Sequence, residues 1–208
     1  MTEPSIIEKI ASNLLVQGAA TTVGILGANI TPLAAFVPFL VDSLASGRQS
    51  KRLEAMLGEL QLLTEQNAEK LKDMTDDQYK VVNEAISAAF YTIDLEKIEL
   101  LKRAASNAFM NPDAVEELSD SLSRIIRDIS AAEVAFIAMI FGYENIVVRE
   151  DAEGMENTLA IKPHSTEEIL LSGLINLGLL YSKTTRWDTV SFEWSPLVSK
   201  LIRLLDVA

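Results

Sequence analysis

The chain has 208 residues, no cysteine and a formal net charge of −12. That length suits one substantial domain or two small ones, and 49% hydrophobic residues can supply a real core. The missing cysteine excludes disulfides, thiol catalysis and cysteine-held metals and fits a reducing, cytoplasmic compartment. The acidic balance opposes binding to phosphate backbones.

Residues 2–9 read as a capped helical start, with Pro4 in the first turn and Ile6, Ile7 and Ile10 opening an apolar face. From Ile10 to Val41 there follow 32 residues without a charge. About 20 apolar residues suffice to span a bilayer as a helix. Small residues recur at Ala20, Gly24 and Ala28, a spacing that lets a second helix approach closely. Pro32 and Pro38 then bend the path, because each lacks an N–H and blocks the preceding turn. The spacing predicts an apolar helical hairpin. It is either the buried centre of a bundle or a segment that enters a membrane, with Arg48, Lys51 and Arg52 as a cytoplasmic flank. It is not a secretory signal peptide: Glu3 and Glu8 stand where a basic region belongs.

Residues 46–74 form an amphipathic pattern, with Leu53, Met56, Leu57, Leu60 and Leu63 opposite Glu54, Glu59, Glu65 and Lys72. Thr75 and Gln78 make a capping box for the next helix. Asp94 caps a further helix that Asn111-Pro112 ends; the same pair starts another, with Val115, Leu118, Leu122, Ile125, Ile126 and Ile129 inward. Ser130 and Glu133 make a second capping box, and the helix behind it, AAEVAFIAMIFG, is so apolar that it should be buried. Strand-like runs follow at 145–149 and 159–161, separated by the acidic loop 150–157. Ser165 and Glu168 open a helix that Gly178 closes. Residues 179–182 and 190–194 read as a hairpin, and Ser195-Pro196 starts the last helix.

The fold class expected is mainly α: a helical bundle over 1–128 that includes the apolar segment 10–45, then a small winged-helix-like α+β domain over 130–208. Two pairs of stretches carry a resemblance. One is LEKIELLKRAASNAF (95–109) with LSRIIRDISAAEVAFIAMI (122–140); the other is LLSGLINLGLL (170–180) with FEWSPLVSKLIRLL (192–205). Over roughly 90–208 this layout is similar to that of the bacterial abortive-infection alpha proteins. The resemblance implies a bacterial or phage setting and a role in phage defence, and it brings no catalytic residues.

Little here carries chemistry. His164 is the only histidine, and without cysteine it cannot complete the usual zinc set. The pairs Asp76-Asp77, Glu116-Glu117 and Glu167-Glu168 all fall in first turns, where negative charge complements the helix dipole. The acidic loop lacks the ligand spacing of a calcium loop. We therefore expect no enzyme, no metal and no cofactor. Residues 130–208 hold 6 Lys/Arg against 11 Asp/Glu, and the helix that would read DNA has no base at all, so nucleic acid is disfavoured as a partner. The expected function is a non-catalytic interaction protein that engages a protein partner or its own copies in the cytoplasm. The first alternative is a membrane-inserting effector that uses the Ile10–Val41 hairpin, with Ala20, Gly24, Ala28, Pro32 and Pro38 on its packing face. The second is a winged-helix regulator of nucleic acid.

Overall fold

The computed structural model describes residues 73–150, 156–184 and 190–207, together with helical positions Met56, Gly58, Glu59, Leu62 and Gln66. The uncharged segment with Ala20, Gly24, Ala28, Pro32 and Pro38, and most of the 46–74 pattern, lie outside them. The described chain is mainly helical with a small four-stranded mixed sheet: α1 (Asp76–Tyr91), α2 (Leu95–Met110), α3 (Ser119–Asp128), α4 (Ala131–Ile140), β1 (Asn145–Val148), β2 (Thr158–Ile161), α5 (Thr166–Asn176), β3 (Leu180–Thr184), β4 (Val190–Trp194) and α6 (Pro196–Leu205).

Local chemistry starts most of these helices. Thr75 and Gln78 exchange backbone bonds in a complete capping box, as do Ser130 and Glu133. The Asp94 carboxylate accepts from the Glu96 and Lys97 amides, and Ser195 caps α6 ahead of Pro196. Gly178, at φ +73°, closes α5: its amide reaches the Ile175 carbonyl and that of Leu179 the Leu174 carbonyl. This is a Schellman ending, and its left-handed residue is best a glycine.

One boundary and one cap differ from expectation. Asn111-Pro112 starts only a short 3₁₀ turn, and α3 begins later, at Ser119. Glu117 sits at φ +66°, which no α-helix can run through. At α5, Ser165 takes the Glu168 amide, but the Glu168 carboxylate turns to the amide of His164 (2.5 Å) instead of closing the box. His164 is left-handed there (φ +61°).

α1 and α2 pack as an antiparallel hairpin through alanines: Ala85 and Ala89 on α1 and Ala104, Ala105 and Ala108 on α2 are wholly buried. α3 lies along α1, tied by Ser119 to Asp77, Lys80 to Asp120, and Arg127 to Glu84 (3.7 Å). α6 packs on α2. There Asn107 Nδ2 donates to the Leu204 carbonyl (3.0 Å) and Arg103 to that of Asp206 (3.1 Å), satisfying the last-turn acceptors of α6. The buried core runs without a break from α1 through Ile129 to α6. Met56 is buried in it, and Glu59 pairs with Lys102 (2.9 Å).

The sheet order is β2-β1-β4-β3. The expected hairpin is present as antiparallel β3 and β4, with β4 also antiparallel to β1. β2 adds a parallel edge to β1, in register from Asn145–Thr158 to Val148–Ile161.

Ser123, in α3, is buried, and among the described residues its hydroxyl has no hydrogen-bond partner. Ser123→Ala removes that stranded group and suits a helix better, so we expect a gain of about 1 kcal/mol in a denaturant titration.

Candidate interaction surface

α4 does not meet the expectation of burial on all sides. Val134, Phe136, Ile137 and Ile140 are buried, while Ala132, Ala135, Ala138 and Met139 face solvent, Met139 at 64%. The exposed face carries no charge, because the one ionisable side chain of α4, Glu133, is turned back to the Ser130 amide and hydroxyl (both 2.7 Å). Past the helix end stands a separate, partly exposed aromatic pair. Phe141 is 40% exposed and its ring meets that of Trp194 at 5.6 Å in a tilted pair, while Trp194 Nε1 donates to the Tyr143 carbonyl (3.0 Å). Scattered exposed apolar residues are ordinary on a protein surface; four exposed uncharged residues on one face of a helix, in a chain this acidic, mark a candidate contact face.

The Glu133 carboxylate of α4 lies against a glycine of α5. A Cβ on Gly173 of α5 would stand 1.9 Å from Glu133 Oε1, so a side chain there must push the carboxylate aside. Gly173→Ala gains about 1 kcal/mol of helix propensity and forfeits about as much by displacing the capping carboxylate. We expect near-neutrality in the native chain. In a Glu133→Ala background the same change stabilises by about 1 kcal/mol, a coupling that a double-mutant cycle of urea midpoints reads directly.

Between α4 and α2 lies a groove of about 420 Å³. Its floor is Leu100, Val134, Ala135 and Ala138, and its rim is Glu96, Glu99, Arg103 and Asp206. Glu96, Glu99 and Asp206 are exposed. Arg103 is engaged with the Asp206 carbonyl, and Glu99 with Lys102 (2.7 Å). Those contacts, Glu99 first and then Glu59, raise the Lys102 pKa above its ordinary value.

A second cleft, of about 450 Å³, opens where α1, the start of α2 and the end of α3 meet. Glu84, Ser87, Tyr91, Thr92, Lys97 and Arg127 line it. Its charges are answered from within. Lys97 Nζ donates to the Arg127 carbonyl (2.7 Å), at the end of α3, and Arg127 pairs with Asp128 (3.0 Å) and Glu84. Burial lowers the Lys97 pKa against the opposing pull of Asp128, Glu133 and Asp94. The Asp128 hydrogen bond raises that of Arg127. Beside the cleft, the α1–α2 turn exposes Tyr91 and Ile93, each at 81%.

His164 is exposed, and no three His, Asp or Glu side chains converge as a metal-holding group among the described residues. Asp76, Asp77, Glu167 and Glu168 do lie in the first turns of α1 and α5. Glu116 and Glu117 instead fall in the turn before α3. α5 has no Lys or Arg and exposes Ile169. No helix among the described residues is long and apolar enough to cross a membrane.

The exposed strip on α4 escapes a reading based on composition, since an all-apolar helix looks the same from every side. Side-chain size holds the missing signal. Alanine at 132, 135 and 138 falls on one face, and the branched and aromatic residues fall on the other.

Comparison with known protein families, curated proteins and solved structures finds no match to this chain.

Proposed function

We propose that this protein is a non-catalytic helical interaction protein, acting through contacts with a partner or with its own copies. The observation that carries this reading is the uncharged exposed face of α4, Ala132, Ala135, Ala138 and Met139. Apolar surface of this kind is stabilised by being covered, at about 25 cal/mol per Å² removed from water. The groove beside it offers concave shape. Residues 130–207 are read as winged-helix-like, supported by the β3–β4 hairpin and by β4 lying between β1 and β3. The absence of bases from α5 supports a protein-binding rather than a nucleic-acid-binding use of that unit. The resemblance of the stretches at 95–140 and 170–205 to the abortive-infection alpha proteins supports a setting in bacterial phage defence.

The test is photo-crosslinking. A photoreactive phenylalanine analogue at position 139 of the full chain is irradiated in bacterial cells that produce it. The reading expects a discrete adduct with a second protein or a second copy, absent when the analogue replaces Lys162, an exposed residue just after β2. A chain that forms no intermolecular adduct from position 139 contradicts it.

A further inference from the structure

Resting on the interaction reading above, we propose that the α2–α4 groove takes a basic amphipathic helix of a partner protein. Three features select that occupant. The floor is shallow and uncharged, with Ala135 and Ala138 beside Leu100 and Val134, so a helix can approach closely with its apolar face inward. The rim is acidic: Glu96 and Glu99 lie on one edge and Asp206 also borders the groove, and all three are exposed. Among the described lining residues Arg103 is the one cation, held on the Asp206 carbonyl (3.1 Å), while Glu99 is paired with Lys102 (2.7 Å), which Glu59 shares. The Glu96 carboxylate has no hydrogen-bond or ion-pair partner among the described residues, and it stands one turn from Glu99. That is the spacing at which lysines or arginines three or four apart on a neighbouring helix can be met.

Length agrees as well. The ten residues of α4 make a wall about 15 Å long, which matches about three turns of a partner helix. The net charge of −12 steers a basic segment toward this surface and repels an acidic one. A second copy of this chain, or a lipid surface, would have to bring its own positive charge to the same rim.

The experiment uses the full chain and a fluorescein-labelled 15-residue helical peptide with leucine and alanine on one face and lysine and arginine on the other. A matched peptide carries glutamate in place of the basic residues. In an anisotropy titration the basic peptide binds and the acidic one does not. The affinity falls by about tenfold when salt rises far enough to shorten the screening length from about 10 Å to about 3 Å. The double variant Glu96→Lys, Glu99→Lys weakens binding by roughly tenfold or more. Ala138→Lys, at an exposed helical position that leaves the circular dichroism unchanged, removes it. The proposal is overturned if neither peptide binds, if the acidic peptide binds equally, or if the double variant binds as the native chain does. Self-association in light scattering that Ala138→Lys abolishes, with no peptide binding, would put a second copy in the groove. That outcome overturns the basic-helix assignment and leaves the interaction reading standing. Binding to phosphatidylcholine vesicles alone, with no adduct from position 139, overturns both.

Discussion

Gln78→Ala should lower stability by about 3 kcal/mol, read as a shift of the urea midpoint followed by circular dichroism. Gln78 is 3% exposed and all of its amide is used. Its Oε1 accepts from the Thr75 amide (3.0 Å), completing the cap of α1. Its Nε2 donates to the carbonyls of Ala108 and Phe109 (both 2.9 Å) at the end of α2. The Ala108 carbonyl needs that donor, because the residue four positions on is Pro112, which has no N–H. Truncation removes a capping interaction worth about 1 kcal/mol and strands buried acceptors at about 1–3 kcal/mol. Gln78→Glu separates the two contributions. It keeps an acceptor for Thr75 but places a carboxylate against two carbonyl oxygens, so at neutral pH it should be at least as damaging as alanine. The buried carboxyl would titrate above its unfolded value, so folding takes up a proton between the two. Stability then recovers as pH falls through the folded pKa and is lost as pH rises through it. A Gln78→Glu chain whose stability is flat across the carboxylate range would show that the amide does not face those carbonyls.

Ala105→Leu is the second large effect, with an expected loss of about 3 kcal/mol. Ala105 is wholly buried on the face of α2 opposite the Asn107 contacts with α6, in the alanine-lined packing of α1 on α2. Close helix approach leaves no room for three more heavy atoms, and overpacking of this kind typically costs about 1–3 kcal/mol. The same substitution at Ala132, on the exposed face of α4, should stay within about 0.5 kcal/mol. Equal effects at the two positions would mean that the α1–α2 contact is looser than its alanines imply.

What the sequence made legible was mostly local. Thr75 with Gln78, Asp94, Ser130 with Glu133, and Ser195-Pro196 start helices by bonds within three residues, so their spacing alone is enough. The helical character and the β3–β4 hairpin follow from the same short-range patterns. The misses are longer in range or hidden in the backbone. Glu117 and His164 adopt left-handed conformations that nothing in their side chains demands, and each shifts a boundary or opens a capping box. The parallel pairing of β2 with β1 depends on how the chain returns after residue 149, a choice that no alternation within either strand encodes. Gln78 was legible as a cap, yet its second role required knowing that the end of α2 lies beside the start of α1. The candidate surface was least visible of all. Its distinguishing feature is which side of α4 lacks a neighbour, and a helix made almost wholly of apolar residues does not mark that side by polarity.

On the proposed function, the exposed face of α4 is covered when the protein works. Radical footprinting of Met139 reads that cover. The purified chain is labelled in dilute solution, the same chain is labelled inside the cells that naturally express it, and sulfoxide at Met139 is quantified against the other methionines. Met139 should oxidise readily in dilute solution, as 64% exposure requires, and be strongly protected in the cell. Equal oxidation of Met139 in both settings would mean that nothing covers the face and that α4 is not an interaction surface.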